Sequence, residues 1–529
     1  MHSPKSVTQF GPENNKLMNE KHIPVLVGCG QITEKDVEPQ DARNPLQLIV
    51  DAIRSAAEDT SRAKPLIEAI DTIAAVGLAI DAVYPPSPIA GHYANLPKSI
   101  ANQLGIEASK LYYTAAGGNT PQMLVNHFAE QIAQGQTSTV LLAGGEALRT
   151  MSQIQRYQLP MDGWIDSPGG EAMSIGDQRP ATSAYENEYN LFPPANTYPL
   201  FENALQVKYQ RSHQEHMTRV GEIYAGLTKV AASNPYAWFQ QERSADQLLT
   251  VSKDNRMIAY PYTKLLNSII QVNQSAALIL TSLAKAKELG IPEEKYVYLH
   301  GCGDAHDIWN LSERVDYCSS PALNRIGKEA LQMAGKSIDE IDLFDIYSCF
   351  PSALEIACDE LGIAHDDPRG LSVTGGLPYF GGPGNNYSMH AIAEMMNKLR
   401  AEPGKFGLLN ANGWFVTKHA IGIYSTTPLK QTWQRKDPSS YQADILSNAG
   451  PKLVETPDGN ATIETFTVLY NREGPERGFI IGRLENSHRF LADTPNDPDT
   501  LNSLLDSKTI GRKGTVSHSG GKNIFIPRG

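Results

Sequence analysis

Four short stretches of this chain carry groups able to do polar chemistry. The first, Ala115-Ala116-Gly117-Gly118-Asn119-Thr120-Pro121-Gln122, is a glycine turn running directly into a helix. Pro121 suits the first helical position, and Asn119 or Thr120 can cap the free N–H groups. The backbone N–H groups of Gly117, Gly118 and Asn119 at such a helix mouth suit an oxyanion or a phosphate. The plainer reading is an ordinary strand-to-helix turn. The second stretch places Cys349 after a strand and before a helix at about 352–361, where the dipole would lower its pKa and fit it as a nucleophile or acid–base group. A small buried thiol is the alternative. The third is Gly381-Gly382-Pro383-Gly384, leading into a helix at about 387–399 with His390 near its start. There the helix N-terminus favours the neutral imidazole, the form a base needs, unless the ring only caps or packs. The fourth is Lys418-His419, just before a buried strand, which by itself reads as an exposed basic pair carrying an imidazole able to titrate near neutral pH.

The elements that must position these groups follow from the apolar pattern. Buried strands are predicted at 23–28, 70–77, 110–114 and 139–145, with an amphipathic helix at 45–57. Leu124, Phe128 and Ile132 form one stripe on the helix after the first glycine turn, which Gly135 ends. Strands alternating with helices imply a mostly parallel sheet covered on both faces. Residues 149–265 break the rhythm and read as a mostly helical insert, with helices near 198–212 and 218–232. The α/β pattern resumes with strands at 276–280, 296–299, 341–346, 406–409 and 420–424. Strand, glycine turn, helix and strand thus occur in both halves, which suggests a duplicated unit. A polar linker precedes short strands at 466–470, 478–481 and 523–526, read as a small β-barrel of oligonucleotide/oligosaccharide-binding type.

Composition limits the function. The 529 residues are too many for one core. With 46 basic against 58 acidic residues the net charge is −12, which argues against nucleic-acid binding. No apolar run is long enough to span a bilayer, and the polar first twenty residues lack a secretory h-region. The five cysteines, Cys29, Cys302, Cys318, Cys349 and Cys358, are odd in number and never form a C-x-x-C pair. Neither a disulfide framework nor a zinc site is indicated, and a reducing cytoplasm is inferred.

Over about residues 22–428 the chain resembles the thiolase superfamily. Gly117 to Gln122 stands at the turn where thiolases carry their nucleophilic cysteine, and Leu142 to Ala147 is similar to the strand after it. Asn273 to Leu280 resembles the segment opening the second half. Tyr347-Ser348-Cys349-Phe350 stands at the family's Asn-Glu-Ala-Phe, Gly381-Gly382-Pro383 at its Gly-His-Pro, and Asn412-Gly413 near its Cys-x-Gly. With the C-terminal extension, the chain looks like the thiolase-like proteins of type 1, commonly labelled acetyl-CoA acetyltransferases. Three departures matter: Gly117 replaces the nucleophile, Gly382 replaces the catalytic histidine, and the Cys-x-Gly cysteine is gone.

The resemblance implies an α/β fold with a duplicated thiolase-type α/β/α/β/α core. Its expected parts are a tail (1–21), a first half (22–148), a coenzyme-A-binding insert (149–265), a second half (266–430), a linker (431–441) and a barrel (442–529). It implies an acyl-CoA acyltransferase that makes or breaks a C–C bond with coenzyme A thioester as substrate, no metal, no covalently bound cofactor, and a homodimer joined through sheet edges of the first half. Catalytic candidates are Tyr347, which would polarise a carbonyl, with Cys349, His390 and His419. Substrate and oxyanion candidates are Gly117, Gly118, Asn119, Gly382, Asn412 and Gly413. Lys208, Arg211, Arg219 and Lys229 on the insert's helices are candidates for the coenzyme phosphates. Two alternatives stand beside this reading: a non-catalytic acyl-CoA-binding or scaffold protein, and a retro-aldolase acting on β-hydroxyacyl-CoA.

Overall fold

A computed structural model describes residues 20–83, 92–161, 163–506 and 508–528. The tail expected at 1–21 lies outside these, apart from its last two residues. The first half supplies strands β1 (Pro24–Thr33), β2 (Thr72–Ala75), β3 (Lys110–Thr114) and β4 (Thr139–Ala147). The insert adds β5 (Met173–Ile175), and β6 (Asn273–Ser282) returns after it. Together they form one six-stranded sheet in the order β1-β6-β4-β2-β3-β5. The second half builds β7 (Tyr298–His306), β8 (Leu343–Asp345), β9 (Phe406–Gly413) and β10 (Lys418–Ser425) into a sheet ordered β7-β10-β9-β8.

The duplication is visible in the pairing. β1–β6 and β6–β4 are antiparallel and β4–β2 is parallel. β7–β10 and β10–β9 are antiparallel and β9–β8 is parallel. Even the register shifts correspond, between Leu26 and Gly28 in one half and between Leu299 and Gly301 in the other. At both places a helix presses onto the strand. A Cβ on Gly28 would lie 2.2 Å from the Ala56 carbonyl of α1 (Pro45–Glu58), and one on Gly301 2.0 Å from the Ala330 carbonyl of α5 (Pro321–Ala334). Only glycine permits that approach. Asn273–Ser282 does not open the second half; it is the last strand of the first sheet, because the insert interrupts the first half between β4 and β6.

Between the sheets lie α2 (Thr120–Ala133) and α7 (Tyr387–Ala401). Leu124, Phe128 and Ile132 of α2 are fully buried, as their spacing predicts. The insert contributes α3 (Pro194–Lys208) and α4 (His213–Ser233), and α6 (Pro351–Leu361) follows Cys349.

At the C-terminus β11 (Gly459–Tyr470), β12 (Pro475–Leu484), β13 (Arg489–Asp493), β14 (Lys513–Ser519) and β15 (Lys522–Pro527) close into a five-stranded barrel, ordered β12-β13-β15-β14-β11 with β11 pairing back to β12. Buried Arg489 gives its guanidinium to Glu464 and to the carbonyls of Ser312 and Arg314, fastening barrel to second half. The carbonyls of Phe466 and Leu200 accept from Asn203 and Thr465, pinning α3 to β11.

The sheet edges bear on the dimer expected from the resemblance. The outer edge of β3 is occupied by β5, with Tyr112, Tyr113 and Thr114 facing Met173, Ser174 and Ile175. At the other edge Leu26 of β1 exchanges backbone hydrogen bonds with Val297. The short strand β5 takes the place beside β3, and at β1 the Leu26–Val297 bridge interrupts the edge, so the structure gives that arrangement no support.

Candidate functional site

The first glycine turn, the start of α6 and the end of β9 converge on a cavity of about 1340 Å³. This exceeds the roughly 300–1,000 Å³ of an ordinary small-molecule site. Gly117, Gly118, Tyr347, Cys349, Gly382 and Asn412 all line it, so the structure joins six of the ten predicted residues.

The turn is built differently from the expectation in two respects. The Gly117 N–H is already taken, donating to Asn385 Oδ1 at 2.8 Å. Asn119 stands at the N-cap without a side-chain capping bond, and the Thr120 hydroxyl turns back to the Gly117 carbonyl instead. The N–H groups of Gly118 and Asn119 have no acceptor among the described residues. They are the free donors at the helix mouth.

Tyr347 completes this corner. Its hydroxyl has no hydrogen-bond partner among the described residues, and a Cβ on Gly118 would lie 2.1 Å from it. The ring packs edge-on against Tyr387 with centroids 5.4 Å apart. Burial holds the phenol well above its usual range, so it is a proton-bearing donor. A side chain on Gly117 would meet Lys418, its Cβ lying 2.8 Å from Nζ. Lys418 bonds to the Ala116 carbonyl and lies over the Trp414 ring, 4.8 Å from its centroid. Burial lowers its amine to about 8. The space a nucleophile's side chain would need is thus filled on both glycines.

Cys349 does not become a thiolate. Burial outweighs the helix dipole and pushes the thiol up to about 12. The Asn412 amide lies 3.9 Å from its sulfur and donates to the Tyr198 hydroxyl at 2.9 Å. At Gly382 no imidazole replaces the lost one, since a Cβ there would lie 2.5 Å from Ser268 Oγ. Gly413 stands behind the turn, where a Cβ would lie 2.3 Å from Asn119 Oδ1.

Both histidines fall outside the cavity. His390 is fully buried, its Nδ1 2.9 Å from Gln31 Oε1 on β1 and its ring against Phe380. Burial drops its pKa to about 3. The ring is neutral, as the helix start suggested, but packed in the core. His419 follows Lys418 on β10, and successive strand residues point to opposite faces. Lys418 therefore reaches the glycine turn, while His419 Nε2 lies 3.1 Å from Ser320 Oγ and 3.3 Å from Asp307.

The four proposed phosphate ligands are elsewhere too. Lys208 is paired with Asp359 at 2.7 Å, Arg219 with Glu222, Arg211 stacks on Tyr209, and Lys229 is exposed on α4. The cations that line the cavity toward solvent are Arg243, Arg256 and Lys264. Arg243 and Arg256 lie in irregular segments and Lys264 opens a single 3-10 turn, none with a periodic signal, and sequence reasoning missed them together with Tyr198 and Asn385.

Two similar α/β halves stacked into one α/β/α/β/α core, with the cavity at a glycine-lined helix mouth, define a chain of the thiolase fold. Residues 441–521 match the thiolase-like protein type 1 additional C-terminal domain. The crystal structure of a monomeric SCP2-thiolase-like protein type 1 from Mycobacterium smegmatis is 36% identical, covers 96% of this chain and 99% of its own, and superposes with a TM-score of 0.82. The chain belongs to this family, the SCP2-thiolase-like proteins of type 1. An acetyl-CoA acetyltransferase of Methanothermobacter thermautotrophicus is 25% identical over 286 residues, 50% of this chain and 70% of that protein. An Ltp2-ChsH2(DUF35) aldolase shares the fold at 17% identity, with a TM-score of 0.56 over 77% of this chain and 99% of its own. Among the described residues no helix is long and apolar enough to cross a membrane.

Proposed function

We propose that this protein binds an acyl-CoA thioester in the large cavity and makes or breaks a C–C bond beside the thioester without forming an acyl-enzyme. The observation that carries this reading is a helix mouth with unused N–H groups on Gly118 and Asn119, where Gly118 and the unpartnered Tyr347 hydroxyl stand side by side on the cavity wall. Such donors stabilise an enolate or alkoxide oxygen as charge develops on it. A thiolate is not part of the scheme, because Cys349 stays protonated and both glycines lack room for a cysteine. Lys418, an amine near neutrality beside the turn, is the group assigned to proton transfer. The coenzyme enters past Arg243, Arg256 and Lys264, whose charges suit its phosphates. The protein acts as a monomer, in line with the filled edge of β3 and the description of its M. smegmatis relative.

The test is turnover of a panel of β-ketoacyl- and β-hydroxyacyl-CoA thioesters, followed by intact-protein mass spectrometry. Product release with no covalent adduct is the expected result; an acyl group on Cys349, or no coenzyme A binding, overturns the reading. Among the described residues no imidazole lines the cavity, which favours a second reading, an acyl-CoA-binding protein without catalysis, which predicts affinity and no turnover.

A further inference from the structure

Behind the cavity wall, three helices bring together Glu202 of α3, His216 of α4 and Glu355 of α6. All three side chains are fully buried, and one ligand atom from each lies within 4.8 Å of the other two. Glu202 is well supplied: its Oε2 accepts from the Tyr262 hydroxyl at 2.5 Å, and its Oε1 contacts His216 Nε2. Glu355 is not. Among the described residues no N–H or O–H group donates to either of its oxygens; the Glu202 carboxyl stands against it, His365 Nδ1 lies 3.7 Å away, and the Arg211 guanidinium acts on it through space. A buried carboxyl without donors is costly unless a proton or a cation satisfies it.

We propose that Glu202, His216 and Glu355 form a binding site for a divalent transition-metal ion, zinc being the ion whose ligand preferences they fit. His216 Nε2, one Glu202 oxygen and both Glu355 oxygens supply four donors, a closed set with no place for substrate. The two carboxylates neutralise the ion. Bidentate use of Glu355 accounts for the lack of an N–H or O–H donor at either of its oxygens, and the Tyr262 hydroxyl holds Glu202 from behind, as outer groups commonly do. The site is structural. Tyr198 stands one turn before Glu202 and Phe350 immediately before α6, so an ion here would fasten the cavity wall to the insert. Glu202 and His216 sit on successive helices of the insert and Glu355 far along the chain, with no local motif to reveal the three together.

The competing occupant is a proton shared between Glu202 and Glu355. To decide, the full chain is stripped with a chelator, offered zinc, manganese(II) or iron(II), and analysed by inductively coupled plasma and native mass spectrometry, with thermal melting alongside. The expected result is one ion per chain, a higher melting temperature on metal addition, and loss of both in Glu355→Gln, whose shape and circular dichroism are retained. His216→Ala behaves likewise. Failure of the stripped wild type to take up any of the three ions overturns the proposal and leaves the shared proton. Equal metal in wild type and Glu355→Gln also overturns it, by placing the ion elsewhere.

Discussion

Replacing Tyr347 by phenylalanine separates a catalytic hydroxyl from a structural one. The hydroxyl has no partner among the described residues, so its loss leaves no donor or acceptor stranded, and the ring keeps its edge contact with Tyr387. Most of the cost of losing a buried polar group comes from the partner left unpaired. The expected change in stability is therefore within about 0.5 kcal/mol. If the hydroxyl donates to the developing oxyanion, its removal costs about 2.7–4 kcal/mol in the transition state, on the order of 10²–10³ in rate. Single-turnover kinetics on the best thioester of the panel, with thermal melts and coenzyme A titration alongside, measure both quantities. The reasoning is refuted if the variant melts several degrees lower while turnover is unchanged, for then the tyrosine only packs.

Further outcomes follow from the same geometry. Gly118→Ala puts a methyl 2.1 Å from the Tyr347 hydroxyl and 2.6 Å from the Asn412 carbonyl, so the variant is expected to lose about 1–3 kcal/mol of stability as well as turnover; an unchanged melt would contradict the packing. Cys349→Ala retains turnover, and iodoacetamide at neutral pH leaves Cys349 unlabelled, because its thiol titrates at about 12. His390 titrates at about 3 in the fold against about 6.5 unfolded, so the unfolded chain takes up the proton first. Its contribution is complete above pH 6.5 and is lost as pH falls from there toward 3, a few kcal/mol in all. Denaturant titrations of wild type and His390→Asn should diverge in that window, and parallel curves would contradict the burial. Arg243→Ala and Arg256→Ala each weaken coenzyme A binding about tenfold by calorimetry, while Arg219→Ala does not.

The fold was legible because burial writes itself into periodicity. Strands such as Thr139–Ala147, buried along their whole length, read as continuous apolar runs, and the stripe of α2 lies where its spacing put it. The strand Asn273–Ser282 was seen but given to the wrong sheet, since local pattern carries no record of which strand it pairs with. Arg489–Asp493 and Lys513–Ser519 carry little signal: the first is short and begins with a buried arginine, and in the second only Gly514 and Val516 are buried among exposed polar residues. Within the site, Tyr347, Asn412 and the two glycines were found from motif position. The histidines were not excluded by any local signal: His390 lies near a helix start, yet it faces β1, and His419 lies one residue from Lys418, the residue that does face the turn. The cavity's cations belong to loops, and only the folded chain brings them to its entrance.

The account turns on where a thioester carbonyl rests. A crystal structure with a non-cleavable acyl-CoA analogue should place the carbonyl oxygen about 3 Å from the Gly118 and Asn119 N–H groups and the Tyr347 hydroxyl, within ordinary hydrogen-bond range. An analogue bound with its carbonyl remote from these three donors, or one that does not enter the cavity at all, would contradict it.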